Sequence, residues 1–396
     1  MYVYDITPLT YCINSDSPTF YNDMEEFLSY FLSKSCKYIY IYLFNLITFI
    51  RNVIYRIIKT STVKLQLKII YISSKVHRKQ QKIGFCQPRY HQSLYQGQNI
   101  WILKPTDFNR GSGILLFNTA KDLLDIFKKY GDKYMQKKFV IQKYIEQPLL
   151  IKERKFDIRI WVMVVDNKQN EKKNNNQNNL QIYIFKEGYI RTSSEKYQTQ
   201  QLNDLIIHLT NNAVQKTDQR YSRFEQGNQL SYDQLEQVAG INFRKEILGK
   251  IKEIICFSID AVKNKISGIN NNFKGNQFEI FGYDFIIDQQ LNPWLIEVNT
   301  NPCIEESSLL LKQLIPRMID DAFKISIDSF FCGEKIEEGK QYFKLKNYND
   351  DENLWFFFLY FNFFLKKNQF FIKRELQQNV NYTILKKKRL LKVQKV

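Results

Sequence analysis

Two apolar segments in the last third of the chain carry acidic and amide side chains where buried strands are expected. The stretch FEIFGYDFIIDQQLNPWLIEVNTNPC, 278–303, is typical of two strands joined by a turn. A turn centred between positions 290 and 291 places Asp284 directly opposite Glu297. Residues two apart on a strand share a face, so Asn299 is expected beside Glu297 on the same side of the hairpin.

These three side chains form a candidate metal site. Two carboxylates held together in apolar surroundings repel each other, and burying them unpaired is costly, so a cation is expected as their partner. Oxygen ligands without His or Cys favour Mg²⁺ over Zn²⁺, and Gly282, opposite Asn299, is expected to leave room for something large. Two alternatives stay open. The acids could pair with Lys or Arg from elsewhere, or the register could slip so that they face solvent.

A second group of charged residues lies on the predicted strand KFDIRIW, 155–161. Alternation places Lys155, Asp157 and Arg159 on one face and apolar residues on the other. A half-buried strand with a solvated outer face gives the same pattern. Two cations flanking an acid also suit a polyanion, however, and Arg191, after the next strand, can add a forked donor set for phosphate or carboxylate.

The loop KPTDFNRGSGI, 104–114, contains two closely spaced glycines. It is not a Walker A sequence because no GK[ST] closes it, and most such glycine pairs are ordinary hairpin turns. Gly111 and Gly113 would nevertheless let main-chain N–H groups approach a phosphate, with Lys104 and Arg110 supplying positive charge.

The segment FVIQKYIEQPLL, 139–150, could be an edge strand and nothing more. In an ATP site it would be the hinge whose backbone reads adenine, with Gln142 and Lys143 near the base. His208, in IIHLTNNAVQK, is a lone histidine and is more often structural than catalytic. No Ser/His/Asp or Cys/His arrangement indicates a side-chain nucleophile.

Hydrophobic periodicity supplies the elements that must position these residues. It predicts strands at 99–105 and 114–117, a helix over 119–131, and an expanded hairpin whose low-complexity turn is 167–179. A polar, flexible region is expected from about 193 to 229, followed by one or two helices before the 278–303 hairpin. The predicted domains are an N-terminal region (1–90), a central domain (91–150), a C-terminal domain with a disordered insertion (151–330, insertion 167–179), and a basic and aromatic tail (331–396).

Composition limits the classes of partner and compartment. The 396 residues, 44% of them hydrophobic, can bury a sizeable core. A net charge of +18 attracts nucleic acid, an anionic membrane or an acidic protein surface. Apolar runs at 38–50 and 355–365 are shorter than the roughly 20 residues needed to span a bilayer, and we interpret them as core, with membrane-surface association less favoured. The six scattered cysteines indicate neither a zinc site nor a disulfide framework and favour a reducing, intracellular compartment.

The order of these segments resembles the tubulin tyrosine ligase-like family of ATP-grasp amino-acid ligases. The resemblance runs over about 95–325 and is carried by WILKPTDFNRGSGI, VIQKYIEQPLLIKERKFDIRIWV, YIRTS, HLTNNAVQK, FGYDFIID and PWLIEVNTNPC. It implies an α+β, ATP-grasp fold in which antiparallel-rich sheets with flanking helices enclose an ATP cleft.

The resemblance also implies a role for each matching residue. The ATP phosphates would contact Lys104, Arg110, Gly111, Ser112 and Gly113. The adenine pocket would be lined by Gln142, Lys143, Tyr144 and Ile145. Further nucleotide contacts would come from Lys155, Asp157, Thr210 and Asn211. The catalytic centre would hold Arg159 and Arg191. Mg²⁺, expected as two ions, would be bound by Asp284, Glu297 and Asn299.

The implied reaction is amide formation driven by ATP. A glutamate side-chain or chain-terminal carboxylate is phosphorylated, and the amine of a free amino acid attacks the acylphosphate. The acidic C-terminal tails of tubulin would match the positive charge of this chain. We expect glutamate or glycine rather than tyrosine, without ranking the first two. We also expect a monomer in the cytoplasm on microtubules, with a cilium or basal body as a further location.

Three other functions remain as alternatives. A nucleic-acid-binding protein would fit the charge and the aromatic content, but its basic patch would not mix acids with cations as these motifs do. A microtubule-binding pseudoenzyme could keep the fold without turnover, and another ATP-grasp ligase could modify an acidic protein other than tubulin. Residues 1–90, the insertion at 167–179 and the aromatic run at 355–365 do not match the family and leave the mode of docking open.

Overall fold

The fold is taken from a computed structural model that describes residues 6–14, 17, 20–34, 97–106, 111–123, 125–126, 138–166, 180–266, 277–328, 348–349 and 352–358. The strands are β1 (Thr10–Asn14), β2 (Trp101–Pro105), β3 (Leu115–Phe117), β4 (Lys138–Lys143), β5 (Leu150–Ile151), β6 (Arg154–Asp166), β7 (Leu180–Lys196), β8 (Gln229–Leu230), β9 (Gln277–Ile287), β10 (Pro293–Asn299) and β11 (Trp355–Phe358). The helices are α1 (Phe20–Lys34), α2 (Leu205–His208), α3 (Asn212–Gln215), α4 (Tyr232–Ala239), α5 (Phe243–Glu246), α6 (Leu248–Ile266) and α7 (Leu309–Phe323), with a π-helical turn at Lys324–Asp328.

The described strands form two sheets, and their pairings are antiparallel. The small sheet has the order β1-β4-β2-β3. The large sheet has the order β10-β9-β6-β7-β11, with β5 added beside β6 and β8 beside β7. Helices accompany both sheets, so the predicted α+β class is confirmed. The division into domains stays a prediction.

In the small sheet, β4 lies between β1 and β2. The interpretation of 139–150 as an edge strand is therefore wrong. Helix α1 covers one face of this sheet through a stripe of buried residues at helical spacing. The stripe consists of Met24, Phe27, Leu28 and Phe31, which pack with Trp101 and Phe117.

The two faces of β6 meet different surroundings. Phe156, Ile158 and Ile160 pack in the core beneath α4, α5 and α6, as the alternation predicts. The opposite face changes character along the strand. It is charged from Lys155 to Arg159, and then turns apolar from Trp161 to Val165, where α7 packs against it. Because Lys155, Asp157 and Arg159 are all buried, the alternative of a solvated outer face is wrong.

The expected hairpin around the 167–179 insertion is confirmed by the register of its strands. Val165 pairs with Gln181 and Asp166 with Leu180, so β6 and β7 run antiparallel up to the insertion. The insertion itself lies outside the described residues.

The turn of the β9–β10 hairpin differs from the expected one. Leu291 adopts a left-handed conformation with φ 59°, and its N–H donates to the carbonyl of Asp288 at 3.0 Å. Near this turn Leu295 pairs with Phe285, which is one position away from the predicted register. The pairing is centred on position 290 and not between 290 and 291.

A β-bulge between Leu295 and Glu297 corrects this offset. Beyond it, Glu297 faces Asp284 and Asn299 faces Gly282, as predicted. Without the bulge, the side chain of Glu297 would point to the other face of the sheet, because side chains alternate along a strand. The predicted pairing is confirmed, but the bulge that produces it was not predicted.

The region from 193 to 229 is packed, so its description as a flexible polar segment is wrong. Gln215 and Asn228 are fully or almost fully buried and hydrogen-bond the end of β7, with Gln215 Oε1 accepting from the Ser194 N–H at 2.7 Å. Arg154 binds Glu225 of the same region. Three helices, α4 to α6, follow where one or two were expected.

The last described residues, 352–358, are bound to α7 and to the large sheet. Arg317 and Asp321 form a buried ion pair within α7, and Asp321 accepts from the Leu354 N–H at 2.9 Å. Strand β11 then pairs with β7, so residues 355–358 are sheet. The core interpretation holds for Trp355, which is buried, but is wrong for Phe356 and Phe357, which are exposed. The runs at 38–50 and 359–365 and the basic end of the tail lie outside the described residues.

Within the described part of the chain, no helix has the length and apolar character needed to cross a membrane.

Candidate active site

A cavity of about 800 Å³ lies between the small sheet and the charged half of the large sheet. Sixteen of the predicted site residues line it. They are Lys104, Gly111, Ser112, Gln142, Lys143, Tyr144, Ile145, Lys155, Asp157, Arg159, Arg191, Thr210, Asn211, Asp284, Glu297 and Asn299. Gly113 lies in the adjoining turn without lining the cavity, and Arg110 lies outside the described residues. We refer to this cavity as the cleft.

The register of the large sheet places four of its residues in one row across four strands. Glu297 on β10 faces Asp284 on β9, and Asp284 faces Arg159 on β6. Arg159 in turn faces Tyr189 on β7. Directly opposed residues share a sheet face, so these side chains meet on the same wall of the cleft.

Asp284 is held by two arginines. Arg159 donates from Nε to Oδ1 at 2.5 Å and from Nη2 to Oδ2 at 3.0 Å, and Arg191 Nη2 lies 2.9 Å from Oδ2. Burial raises the pKa of Asp284, but the charges of the two arginines outweigh it and hold that pKa well below its usual range. For Asp284, pairing with arginine, left open as an alternative, is confirmed.

Asp157 binds the other side of Arg191. It accepts two hydrogen bonds of 2.7 Å from the guanidinium and a third of 2.6 Å from Thr210 Oγ1. Arg191 therefore bridges Asp157 and Asp284, and both predicted catalytic arginines are fixed in direction by buried carboxylates. Forked pairs of this kind offset the cost of burying charge only because their geometry is well matched.

Glu297 has a different environment from Asp284. Within the described residues it forms no ion pair; its Oε1 accepts a hydrogen bond of 3.2 Å from Asn299 Nδ2, and its carboxyl also lies within hydrogen-bonding reach of the Asp284 carboxyl. Glu297 as a residue is exposed, but its carboxyl is turned into the cleft, where desolvation and then the charge of Asp284 raise its pKa, while Lys104 acts in the opposite direction. A carboxylate that repels its neighbour and lacks a cation is the expected ligand of a positive ion.

The donor set fits Mg²⁺ that arrives with a phosphate ligand. No group of three or more His, Cys, Asp or Glu side chains converges within the described residues, so an all-protein cage is not formed there. Mg²⁺ is usually bound by one or two carboxylates together with substrate phosphates and waters. Asp284 and Glu297 supply that number, and Asn299 contacts both, at 3.3 and 3.2 Å.

Gly282 does not provide the open space that was expected. A Cβ built there would lie 2.9 Å from Cβ of Pro302 and 3.1 Å from Nη1 of Arg159. The position opposite Asn299 is already filled by these two residues. A glycine at 282 therefore lets the Arg159 guanidinium lie flat on the strand, and any metal ion must bind on the Glu297 side.

Lys104 lies on β2 across the cleft from the acids. Its Nζ donates to Gln142 Oε1 at 2.9 Å. Burial lowers the pKa of Lys104, while Glu297 and Asp284 raise it. The amide of Gln142 also donates to Thr10 Oγ1 at 3.1 Å, so Gln142 orients this lysine.

Lys155 lies deeper in the cleft. Its Nζ donates to the phenol oxygen of Tyr144 and to the carbonyl of His208, both at 2.9 Å. Burial lowers the pKa of Lys155 to about 7, with Asp157 opposing the shift and Lys104 adding to it.

The cleft has more cations than carboxylates. The cations are Lys104, Lys143, Lys155, Arg159, Arg191 and Lys216, and the carboxylates are Asp157, Asp284, Glu297 and Glu305. A surplus of fixed positive charge in an enclosed site attracts a polyanion.

The segment predicted to bind adenine, 139–150, packs against apolar side chains. Few of its main-chain N–H groups are free to donate to a base. The N–H groups of Lys143 and Tyr144 donate to the carbonyls of Leu9 and Ile100, at 2.7 and 3.1 Å, and so cannot read a base. The Lys143 ammonium binds Glu146 at 2.5 Å and is not available to a ligand either. Ile145 packs instead with Ile286, Trp294 and Ile296. The three isoleucines all line the cleft.

The glycine turn at 111–113 lies against Val214 of α3. Gly111 has φ 84°, and a Cβ there would meet Val214 Cγ2 at 2.8 Å. A glycine is thus required by the backbone and by Val214, which is a different reason from the expected approach of phosphate. Ser112 is exposed at the cleft mouth.

Among the residues that sequence reasoning missed are Tyr189 and Ile286, which line the cleft, and Glu146, which does not; it also understated His208. Tyr189 and Ile286 could have been found by alternation, because they lie two residues from Arg191 and Asp284 on the same faces. Glu146, which fixes Lys143, carries no comparable signal. His208 has the structural role that was expected, since both ring nitrogens hydrogen-bond within the protein, but its contact with Tyr144 also brings it to the cleft.

Comparison with known proteins identifies a family and several relatives of this chain. A model of the tubulin-tyrosine ligase family matches residues 33–334. Tubulin glycylase 3D of Tetrahymena thermophila is 38% identical over 251 residues, which is 61% of this chain and 22% of that protein. Protein monoglycylase TTLL8 of Homo sapiens is 30% identical over 58% of this chain and 26% of its own length. The probable tubulin polyglutamylase ttll-9 of Caenorhabditis elegans is 31% identical over 64% and 58% respectively.

This chain therefore spans between about a fifth and three fifths of the length of these relatives. The family match covers more than half of the chain and includes β2 to α7, the elements that build the cleft. The chain belongs to the tubulin-tyrosine ligase family.

Proposed function

We propose that the protein is an ATP-dependent carboxylate–amine ligase of the ATP-grasp type, which attaches glycine to a glutamate carboxylate of tubulin. The observation that carries the proposal is the convergence of Asp284 and Glu297 with Lys104, Lys155 and the two arginines in one cleft. Acids and cations interleaved in this way suit a metal-bound polyanion better than nucleic acid.

The resident groups of the cleft have separable tasks in this proposal. Lys104 and Lys155 bind the triphosphate, and Asp284, Glu297 and Asn299 hold Mg²⁺. The metal, when bound, offsets the phosphate charge and makes the γ-phosphorus easier to attack. Because Arg159 and Arg191 are fixed by buried carboxylates, they hold incoming carboxylate and phosphoryl oxygens with no reorganisation during the reaction.

The proposed reaction needs no side-chain nucleophile. A carboxylate oxygen of the acceptor takes the γ-phosphoryl group and ADP leaves. The amine of the free amino acid then attacks the acyl carbon, phosphate leaves and the amine gives up a proton. The protein contributes mainly by holding both substrates against the nucleotide.

The choice of substrates rests on the relatives and on charge. Glycylases of tubulin stand among the relatives with higher identity, which favours glycine. Glutamate is the second candidate, since a relative named as a tubulin polyglutamylase matches with 58% of its length. A net charge of +18 suits the acidic tails of tubulin. Action as a monomer on cytoplasmic microtubules, including those of cilia, completes the proposal.

The experiment is incorporation of labelled amino acids. Purified protein is incubated with ATP, Mg²⁺ and tubulin, with labelled glycine, glutamate or tyrosine in turn. The proposal predicts label in tubulin with glycine and none after the tubulin tails are removed by limited proteolysis. Label with glutamate alone would correct the amino acid, and label only in other acidic proteins would remove tubulin. Nucleotide binding without incorporation of any amino acid would indicate a pseudoenzyme.

A further inference from the structure

A chain of hydrogen bonds in the wall of the cleft runs from Lys155 through Tyr144 and His208 to the Gln201 carbonyl. Lys155 Nζ donates to the phenol oxygen of Tyr144 at 2.9 Å. The same phenol oxygen lies 3.0 Å from Nδ1 of His208, and Nε2 of His208 lies 3.0 Å from the carbonyl oxygen of Gln201. The Lys155, Tyr144 and His208 residues are each at most 3% exposed.

The direction of the bonds in this chain follows from its two ends, the protonated lysine, which only donates, and the Gln201 carbonyl, which only accepts. An ammonium group has donors only, so the Tyr144 oxygen must accept from Lys155. The phenol proton is then directed at Nδ1 of His208, which must be an acceptor. The ring therefore carries its proton on Nε2, where the Gln201 carbonyl accepts it. His208 is thus a neutral imidazole in a single tautomer.

The surroundings of the ring agree with this assignment. Burial and then the charge of Lys155 lower the pKa of His208 to about 4, so a second proton is not taken up near neutral pH. The ring also packs edge-on against the rings of Tyr144 and Tyr197, with centroids 5.6 and 6.2 Å apart. The imidazole has little freedom to turn.

Residue 208 holds Lys155 in two ways. Its main-chain carbonyl accepts directly from the ammonium at 2.9 Å, and its side chain acts through Tyr144. These two acceptors use two of the three N–H donors of the ammonium. Within the described residues no third hydrogen bond of Lys155 is formed, and the ammonium lines the cleft. One donor is left for the ligand.

We infer that His208 is a positioning residue, which fixes the phenol of Tyr144 and through it the direction in which Lys155 offers its remaining N–H to bound nucleotide. The inference rests on the proposed function because it takes the ligand to be ATP. The imidazole itself transfers no proton and contacts no reacting atom, since both of its nitrogens are bonded within the protein.

Two substitutions at position 208, each made in two backgrounds, test the inference. His208→Phe keeps the ring packing and removes both nitrogens, whereas His208→Asn keeps an acceptor near the position of Nδ1. Each is made in the wild type and in Lys155→Met, and the Kd for ATP with Mg²⁺ is measured by titration calorimetry. His208→Phe is expected to weaken ATP binding about tenfold, the loss typical of one hydrogen bond to a charged group, and His208→Asn is expected to restore most of it.

The effect must disappear when Lys155 is absent. In Lys155→Met the Phe and Asn variants are expected to bind ATP with Kd values that differ by less than about twofold, because residues that act through one another are not additive. Equal losses in both backgrounds would show a purely structural role and overturn the inference, as would a wild type that binds no ATP. If His208→Phe does not fold, Tyr144→Phe removes the same link and provides the same comparison.

The readout also separates this inference from the proposed function. Amino-acid incorporation is measured on the same samples. If ATP binding shows the predicted coupling but no amino acid is incorporated, the proposed ligase function is wrong and the positioning role of His208 stands.

Discussion

Glu297 faces Asp284 directly across the β9–β10 hairpin, yet only Asp284 is paired with arginine. The two carboxylates share a sheet face and are of the same chemical type, but they meet opposite surroundings. Arg159 and Arg191 lower the pKa of Asp284, while the charge of Asp284 helps to raise that of Glu297. Asp284 is therefore held in place by two arginines, whereas Glu297 forms no ion pair within the described residues; in the proposed function both carboxylates contribute to the Mg²⁺ site.

Replacing Glu297 is expected to remove activity without weakening the fold. Glu297→Gln keeps the shape of the side chain and removes its repulsion with Asp284, so the midpoint of thermal unfolding should stay the same or rise. Ligase turnover should fall at least about 100-fold, the scale seen when one group that stabilises transition-state charge is lost. Calorimetry and label incorporation measure the two quantities.

Glu306→Gln is the matched control for this variant, because Glu306 is exposed and does not line the cleft. It should keep both activity and stability. A large loss of stability in Glu297→Gln would mean that Glu297 is a structural partner, in contradiction to its lack of an ion pair.

The two carboxylates should also give opposite dependences of stability on pH. The pKa of Asp284 is lowered by folding, so its contribution is present above its unfolded pKa of about 3.9 and is lost as the pH falls below that value. The pKa of Glu297 is raised, so its contribution is present below about 4.3 and is lost as the pH rises through its folded pKa.

Urea unfolding of single variants at acidic and neutral pH measures this contrast. Asp284→Asn leaves two buried guanidinium groups without one of their acceptors and should cost about 3 kcal/mol at neutral pH, and less in acid. Glu297→Gln should gain stability relative to wild type as the pH rises through the raised pKa of Glu297. Parallel pH profiles for the two variants would contradict the assignment of opposite roles.

Nucleotide affinity should weaken as Lys155 loses its proton. Burial lowers the pKa of this ammonium to about 7, so a larger fraction is neutral as the pH rises from about 6.5 to about 9. Titration of ATP over this range should show a steady loss of affinity in the wild type. Lys155→Arg keeps its charge throughout, and its affinity should change much less.

Lys104→Arg controls for the other lysine of the cleft, whose pKa burial also lowers. If this variant, and not Lys155→Arg, abolished the pH dependence, the titrating group would be Lys104.

A methyl group at position 188 should disturb the placement of Arg159. A Cβ at Gly188 would lie 2.4 Å from the carbonyl oxygen of Arg159 and 2.2 Å from the hydroxyl of Tyr232. Gly188→Ala should therefore destabilise the protein by about 1–3 kcal/mol, as overpacking does, and reduce turnover by shifting β6. Adding Tyr232→Phe should recover only part of the stability, because the main-chain clash remains.

Gly249→Ala is the counterpart, since a Cβ there meets nothing within 4 Å in α6. It should be neutral or stabilise by up to about 1 kcal/mol. Denaturant unfolding of both glycine variants checks the prediction, and equal effects would contradict the packing assigned to Gly188.

Features that depend on alternation within one strand could be predicted from the sequence. The charged face of β6 at Lys155, Asp157 and Arg159 is one case, and the pairing of Asp284 with Glu297 is another. The bulge before Glu297 could not be predicted, because an extra residue in one strand leaves no mark on an apolar run. The predicted pairing of Asp284 with Glu297 was nevertheless right, because the turn is shifted by one position and the bulge reverses that shift.

Features that depend on contacts between distant segments could not be predicted from sequence patterns. The space beside Gly282 is filled by Arg159, which lies over a hundred residues away, so the glycine alone gave no indication of the contact. Gln215 and Asn228 made the region from 193 to 229 look solvated because they are polar. They are buried there because the end of β7 supplies their hydrogen-bond partners.

The central claim is that the cleft joins an amino acid to tubulin and that Glu297 is required for it. The most direct measurement is the rate of transfer of labelled glycine to tubulin, with ATP and Mg²⁺, by the wild type, Glu297→Gln and Glu306→Gln in parallel. The account predicts transfer by the wild type and by Glu306→Gln, and none above background by the folded Glu297→Gln variant. Equal transfer by all three proteins, or transfer of no amino acid by the wild type, would contradict it.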